Sequence, residues 1–303
     1  MSGARSPATG RLYGVQRVCR VWGVSRSAYY ASRGPALSLV PSDRPRPGPR
    51  PQLSDDELAE RIRGVIGERE EAFGFRGEGY RKVHARLRAA GVPASKHRVL
   101  RVMRDNDLLA TRRSTRKRGP RVHDGTIQTS RPNEMWGADG TVIWTRTHGY
   151  VWVFIAVDHC NSELVGVHAS VEGNRFEALE PIRQGIREHL GQPEAGVASG
   201  LAIRHDHGSQ YMSRHFQDEL AFFGIRSSPS YVGQPEGNGV AERMMRTLKE
   251  QLLWLHTWDD VGQVNEALKH FKDNYNSNWM LGRWKYRSPA GVRRELTHTQ
   301  AAA

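Results

Sequence analysis

The sequence has few cysteines and no long hydrophobic run. Its two cysteines, Cys19 and Cys160, lie far apart, which argues against disulfide stapling and favours a reducing compartment. The longest apolar run, residues 151–157, is far shorter than the roughly 20 residues that a membrane span needs. Residues 1–14 include basic side chains without a following apolar segment, which argues against a secretory signal. We therefore expect a soluble cytoplasmic protein without a membrane partner.

The positive charge of the chain is concentrated in its N-terminal part. The 303 residues carry a net charge of +13, and residues 1–138 contain 28 Lys and Arg against 13 Asp and Glu. The remainder contains 17 basic and 19 acidic residues. A basic part joined to a near-neutral part indicates a nucleic-acid-binding region attached to a second function.

The first 53 residues divide into a helical segment and a linker. Residues 1–33 have the pattern of a helix-turn-helix, with an apolar stripe that ends at Val21 or Trp22 and a turn at Gly23. Residues 34–53 are dense in proline and arginine, which favours an extended linker over a packed core.

A second helical region is predicted over residues 54–110. Ser54 and Glu57 have the spacing of a capping box, and helices are predicted over 80–90 and 96–106. The last two form either a DNA-binding helix-turn-helix or two amphipathic helices with solvated charged faces. In the DNA-binding interpretation, these basic side chains face phosphates or bases: Arg81, Lys82, Lys96, Arg98, Arg101 and Arg104.

Residues 111–131 form a basic arm that is better suited to contacting phosphate than to folding. Its predicted DNA-contacting residues are Arg112, Arg113, Arg116, Lys117 and Arg118.

The hydrophobic period changes after Trp136. Runs rich in Val, Ile, Trp and Tyr predict strands, and longer amphipathic runs predict helices, so the pattern indicates an α/β layered fold. The first three strands are expected to form an antiparallel meander. The predicted strands are 135–145, 150–160, 163–171, 200–206 and 225–230, and the predicted helices are 174–191, 213–224 and 238–255.

Three carboxylates stand out at the ends or inside these elements. Asp139 lies inside the first strand, Asp206 ends the fourth and Glu242 opens the last long helix, where Arg246 and Lys249 share its face. Gathered at one rim of a sheet, the carboxylates could hold two divalent metal ions for phosphodiester chemistry. Lys249 and Arg246 would then hold the DNA backbone.

Residues 132–290 resemble the catalytic core of retroviral-integrase-like DDE transposases. More narrowly, they are similar to the downstream-frame protein of bacterial insertion sequences that encode their transposase in two overlapping frames. Between Asp206 and Glu242 lie 35 residues, the spacing characteristic of that superfamily. The matching motifs are W-x-x-D-x-T at Trp136, Asp139 and Thr141, H-x-x-G-S-Q-Y around Asp206, and N-G-x-x-E-x-x-x-x-x-x-K at Asn238, Gly239, Glu242 and Lys249.

The resemblance implies a ribonuclease-H-like integrase core with a mixed five-stranded sheet and flanking helices over 132–258, then a C-terminal helix and tail over 259–303. It implies that Asp139, Asp206 and Glu242 are the catalytic triad. The implied cofactor is Mg²⁺, with two ions per site and Mn²⁺ able to substitute.

The implied partners are double-stranded DNA at the element ends and target, further copies of the chain, and the upstream-frame protein. The implied location is the bacterial cytoplasm, on the nucleoid when bound to DNA. The tail departs from the resemblance, because it has Trp279 and Leu281 where many relatives have Arg and His.

Two neighbouring features have simpler explanations. His205 and His207 suggest zinc, but further ligands are needed and His159 with Cys160 is the only other weak source, so magnesium on Asp206 is favoured. Asp158 closes a strand at a hairpin, where it is expected to cap the turn.

Three functions fit the sequence. The first is a DNA transposase, and the second is a DNA-binding regulator that uses the core only for assembly. The third is an RNA-cleaving enzyme with the same metal site, which the helix-turn-helix segments disfavour because that motif reads the DNA major groove. An intact set of three carboxylates favours the transposase over the regulator.

Overall fold

The computed structural model of the chain divides into two compact units, Met1–Pro51 and Gln52–Ala303. It describes residues 3–32, 52–110, 127, 129–230 and 238–301. Most of the predicted linker and basic arm lies outside these residues, including Arg112, Arg113, Arg116, Lys117 and Arg118. Within the described residues, no helix is long and apolar enough to cross a membrane.

The first unit contains the two predicted helices, α1 (Val15–Val21) and α2 (Arg26–Ala31). Cys19 is buried on α1. The expected apolar stripe is wrong at its end, because Val21 and Trp22 are 76% and 64% exposed. Val15 and Val18 are partly buried and Cys19 shares the face of Val15, so the buried stripe ends before Val21.

The second unit begins with three helices, α3 (Asp55–Phe73), α4 (Tyr80–Ala89) and α5 (Lys96–Asp105). The predicted capping box is confirmed, since Ser54 and Glu57 each accept a hydrogen bond from the backbone N–H of the other. The apolar faces of the three helices pack together into a small core: Leu58, Ala59, Ile62, Val83, Leu87, Val99, Val102 and Met103.

A mixed sheet of five strands follows, as predicted. The order is β3 (Leu164–Ser170), β2 (Gly149–Asp158), β1 (Met135–Thr145), β4 (Ala202–His205) and β5 (Arg226–Pro229). The first three strands form the expected antiparallel meander, and β4 and β5 run parallel to β1. The three parallel strands therefore end at one edge of the sheet, where ligands bind in many α/β folds.

Helices cover both faces of this sheet. They are α6 (Arg175–His189), α7 (Ser209–Met212), α8 (Arg214–Phe222), α9 (Gly239–Leu248), α10 (Val261–Asn278) and α11 (Pro289–Ala301). Because successive strand side chains alternate in direction, β1 faces α6 through Trp136 and α9 through Gly137. One buried cluster lies on the α6 and α8 side and another on the α9 and α10 side.

The three-helix segment packs against the sheet-containing part of the same unit. Phe75, which follows α3, is buried in the cluster of α9 and α10, with its ring edge-on to Trp279 at 5.1 Å. The Gln251 side chain bonds the backbone N–H and carbonyl of Arg76 at 2.8 and 3.1 Å. This junction fixes the helical segment beside the C-terminal end of α9.

Candidate active site

The strand register brings two of the three predicted carboxylates to the same level. In the parallel pairing of β1 with β4, Gly137 lies opposite Arg204. Two residues further along each strand are Asp139 and Asp206, the latter directly after the end of β4. The two aspartates therefore occupy corresponding positions on neighbouring parallel strands, Asp139 within β1 and Asp206 where β4 ends.

The pKa of Asp139 is raised, as expected for a carboxylate that lies close to other carboxylates. Its pKa is raised to about 6, chiefly because it is largely buried, and the negative charges of Asp206 and Glu242 add to the rise. The Gly140 N–H, which donates to its carboxylate at 2.8 Å, and the Lys249 ammonium act in the opposite direction. The other two predicted carboxylates and the predicted lysine thus all act on the pKa of Asp139.

Asp206 is exposed at the start of a tight loop. Its carboxylate accepts a hydrogen bond of 2.8 Å from the Gly208 N–H. A Cβ at Gly208 would lie 2.9 Å from this carboxylate and 2.6 Å from the Gln210 amide, so a larger residue there would displace these two side chains. The loop then enters α7, and its shape is set by the Gly-Ser-Gln sequence that the motif contains.

Glu242 lies in the first turn of α9. Its side chain is on the solvent side of the helix, yet the surrounding protein removes enough water to raise its pKa. Arg246, one turn later, is exposed, and Lys249 is half-buried where α9 gives way to a π-helical turn, Lys249–Leu253. Single π-helical turns within helices frequently mark functional sites.

Asn238 connects α9 directly to β1, a contact that we did not predict. Its side-chain amide donates to the Ala138 carbonyl at 2.9 Å, next to Asp139, and the residue is 5% exposed. The sequence signal was the motif itself, in which Asn238 stands four residues before Glu242.

Tyr211 is a second residue near the carboxylates to which we assigned no role. Its side chain is fully buried, and its hydroxyl has no hydrogen-bond partner among the described residues. Burial and the negative charges of Asp139 and Asp206 hold the pKa of this hydroxyl well above its usual value. It therefore remains a protonated donor close to both aspartates.

His205 is occupied by hydrogen bonds rather than being open to a metal ion. Its Nδ1 lies 2.6 Å from the Asp206 carbonyl oxygen and its Nε2 lies 2.9 Å from the Ser227 hydroxyl. Burial lowers its pKa, which favours the neutral ring. His207 is exposed on the loop. His205 is therefore arranged to support the strand end rather than to bind zinc.

The oxygen donors of this edge fit a hard divalent cation, although they are not gathered into a finished ligand set. Within the described residues, no group of three or more His, Cys, Asp and Glu side chains lies close enough to hold a metal ion. The donors offered by Asp139, Asp206 and Glu242 are carboxylate oxygens, which Mg²⁺ prefers. Their mutual repulsion at Asp139 is the kind of strain that a bound cation relieves.

The predicted basic residues of α4 and α5 fall into two groups. Arg81, Lys96 and Arg104 are exposed. Arg98 instead donates to the Asp55 carboxylate at 2.9 Å and to the Leu53 carbonyl, and its side chain is 14% exposed.

Two further predicted basic residues have partners within the chain. Arg101 lies 2.7 Å from the same Asp55 carboxylate, and Lys82 packs on the Trp279 ring. Part of the predicted DNA-contacting set therefore contributes to internal structure.

Asp158 has the turn-capping role that its position predicted. It is fully buried and accepts hydrogen bonds of 2.7 Å from the backbone N–H groups of Asn133 and Cys160. Arg293 of α11 lies 3.5 Å from its carboxylate. Burial nevertheless raises the pKa of Asp158, and the group belongs to the far end of β2, away from the strand edge that carries Asp206.

Comparison with known proteins gives matches along most of the chain. The integrase core domain family matches residues 129–235 and 223–279, and the HTH-like domain family matches residues 54–118. Transposase InsD of the insertion element IS2A/D/F/H/I/K from Escherichia coli is 28% identical over 92% of this chain and 90% of its own length.

Two further similarities add context. A 48.2 kDa protein of insertion element IS2A from Escherichia coli is 28% identical over 94% of this chain, which spans only 66% of that protein's length. Among solved structures, the catalytic core domain of BIV integrase covers 56% of this chain and 99% of its own, at 18% identity and a TM-score of 0.41.

Proposed function

We propose that the chain is a DNA transposase. Its sequence matches an integrase core domain behind an HTH-like domain, and it is similar to insertion-element transposases. As a polynucleotidyl transferase of the DDE type, it would hydrolyse a phosphodiester at each end of its element. It would then join the resulting 3′-hydroxyl to target DNA by transesterification.

One observation carries the chemical part of this proposal. The β1 and β4 register places Asp139 and Asp206 level on neighbouring parallel strands, and Glu242 of α9 adds its charge to theirs at Asp139. A buried aspartate whose pKa is raised by two neighbouring carboxylates is costly to a fold unless the site binds something positive. This cost supports assigning them a cation-dependent reaction.

Asp139, Asp206 and Glu242 would hold Mg²⁺, two ions per site, with Mn²⁺ able to substitute. When bound, these ions would activate the attacking oxygen and stabilise the leaving oxygen of the phosphodiester. The protein's part is to position DNA and to neutralise charge, because the attacking groups are a water molecule and then a DNA 3′-hydroxyl. No serine or cysteine nucleophile is required.

Lys249 and Arg246 would hold the DNA backbone next to the carboxylates. They lie two turns and one turn after Glu242, and the Lys249 ammonium already acts on Asp139. The positive charge of Lys249 would offset the negative charge of a phosphate drawn into the acidic site. Arg246, which is exposed, would contact a phosphate further along the same strand.

DNA binding by α4 and α5 would place the element end. Their exposed basic residues, Arg81, Lys96 and Arg104, supply phosphate contacts on the side of the segment that faces solvent. Two ends must be cut and joined together, so we infer that the chain works as a homo-oligomer on DNA. Cooperation with, or fusion to, an upstream-frame protein is part of the same proposal.

The proposal is tested by cleavage of labelled duplexes that carry the ends of the chain's own element. The full chain is incubated with Mg²⁺, with Mn²⁺ and with EDTA, and Asp139→Asn is assayed in parallel. A transposase gives metal-dependent nicks with a free 3′-hydroxyl that are lost in Asp139→Asn, whereas binding without nicks under every condition supports the regulator. Cleavage of the matching RNA instead of DNA would overturn the assignment of substrate.

A further inference from the structure

We propose that Asn238 is a positioning residue that fixes the separation of Glu242 from Asp139, an inference that rests on the proposed function. Its side-chain amide bonds the Ala138 carbonyl at 2.9 Å. Ala138 directly precedes Asp139, and Asn238 directly precedes α9, whose first turn carries Glu242. A single side chain thus joins the elements that present two of the three carboxylates.

The conformation of Asn238 shows that its side chain serves β1 rather than its own helix. Asparagine is one of the preferred N-cap residues because its oxygen accepts a hydrogen bond from the first turn. Asn238 stands at the N-cap of α9 but makes no such bond. By contrast, Asn174 at the N-cap of α6 accepts from both Phe176 and Glu177. Asn238 therefore does not cap its own helix, and its side-chain N–H donates instead to the Ala138 carbonyl on β1.

Close packing leaves little freedom in this arrangement. A Cβ at Gly137 would lie 3.0 Å from the Asn238 side-chain oxygen and 3.1 Å from Ala241 on α9. Glycine at this position therefore lets the start of α9 lie directly on β1. Any larger residue would push Asn238 and the first turn of α9 away from the strand.

The far side of this contact is a polar cluster with unused hydrogen-bonding capacity. The Asn238 oxygen and both ring nitrogens of His159 are buried without hydrogen-bond partners among the described residues. The His159 Nε2 also lies 3.0 Å from the Cβ position at Gly137, so the ring faces the Asn238 side chain across this glycine. Buried unsatisfied polar atoms cost stability, which is typical of positions kept for function.

The consequence concerns the carboxylate ligands rather than the fold as a whole. Groups that orient metal ligands typically change metal affinity by 10- to 100-fold when they are removed. Asn238→Ala removes the bond to Ala138 and frees the first turn of α9, so Glu242 loses its fixed distance from Asp139. We expect Mn²⁺ to bind about 10-fold more weakly to this variant.

The experiment measures binding of Mn²⁺ alone to the full chain by calorimetry and by electron paramagnetic resonance. Asn276→Ala is the matched control, because Asn276 is also buried and bonds both backbone groups of Leu164 on the edge strand β3. Both variants remove an asparagine that bonds a strand backbone, but only Asn238 lies next to the carboxylates. Urea unfolding of each variant reports the loss of stability separately.

The inference predicts weaker Mn²⁺ binding for Asn238→Ala and unchanged binding for Asn276→Ala. Equal weakening in both variants, or unchanged binding in both while Asp139→Asn loses Mn²⁺, would overturn it. Unchanged binding in Asp139→Asn would instead overturn the proposed function itself. If Asn238→Ala does not fold, Gly137→Ala keeps the asparagine but crowds it, and is expected to weaken Mn²⁺ binding in the same direction.

Discussion

The Lys82 ammonium lies 3.2 Å from the centre of the Trp279 ring, which ties helix α4 to the C-terminal tail. Trp279 also packs edge-on against Phe75 and stacks on Tyr275. A lysine that we predicted to contact DNA and a tryptophan that departs from the family pattern therefore contact each other. The tail has a structural role here, holding the three-helix segment against the sheet-containing part.

This contact predicts that Trp279→Ala destabilises the chain. Losing a half-buried aromatic ring together with a cation–π contact should lower the free energy of unfolding by about 3 kcal/mol. Trp254→Ala is the control, since Trp254 is 67% exposed and its removal should cost less than about 0.5 kcal/mol. Urea denaturation measures both values, and similar losses would contradict the assigned junction.

Arg98 and Arg104 of α5 differ in their surroundings, and this difference makes a second prediction. Arg98 is bonded to Asp55 and Leu53, so Arg98→Ala should lower the free energy of unfolding by about 2 kcal/mol. Arg104 is exposed, so Arg104→Ala should leave the free energy of unfolding unchanged but weaken DNA binding. The slope of log K for DNA binding against log salt concentration should become shallower by about one unit. Denaturation and fluorescence anisotropy at several salt concentrations separate the two. A stable Arg98→Ala variant would refute the first assignment.

His159 predicts a loss of stability in mild acid. Burial, together with the positive charges of Arg204 and Arg283, lowers its pKa from 6.5 to about 4. The unfolded chain therefore binds this proton more readily, so stability is complete above pH 6.5 and falls as the pH drops toward 4. The fall due to His159 amounts to about 3 kcal/mol.

His159→Gln, which cannot be protonated, should flatten the dependence of unfolding free energy on pH between 6.5 and 4. Some slope will remain, because the pKa values of His189 and His205 are also lowered by burial. Urea denaturation across this pH range measures the slope. An unchanged slope in the variant would show that His159 is not buried in its neutral form.

In the metal-free chain, Asp139 predicts a pH dependence of stability opposite in sign to that of His159. Its pKa is raised to about 6, so its contribution to stability is present below pH 3.8 and is lost as the pH rises through 6. Asp139→Asn should therefore raise the unfolding free energy at pH 7.5 by about 2 kcal/mol and change it little at pH 3.5. Asp273→Asn, on an exposed part of α10, is the control. Destabilisation by Asp139→Asn would contradict the assigned repulsion.

The strands and helices of the core could be predicted from sequence because their hydrophobic periods are strong. The alternation from Met135 to Thr145 and the apolar run of β2 gave strands whose bounds differ from the prediction by at most two residues. Proline at 181 did not stop α6. The helix predicted over 238–255 is the exception, because α9 ends at Leu248 and a π-helical turn follows, which a local hydrophobic period does not reveal.

The contacts that complete the site could not be predicted in the same way. That Asn238 bonds Ala138 and that Tyr211 is buried beside two aspartates depend on residues far apart in sequence. Likewise, the partner of Arg98 is Asp55, at the start of another helix. A basic or polar side chain in a pattern has several possible partners, and only the packed fold selects one of them.

The central claim is that Glu242 belongs to a site that cuts and joins DNA, and excision in cells tests it most directly. A plasmid carries the element's own ends, and this chain and the upstream-frame protein are supplied together, with Glu242 intact or as Glu242→Gln. Asp273→Asn, on an exposed part of α10, is the control. We predict excised circles or nicked ends with the native chain and the control, and none with Glu242→Gln. Equal product from Glu242→Gln would contradict the account.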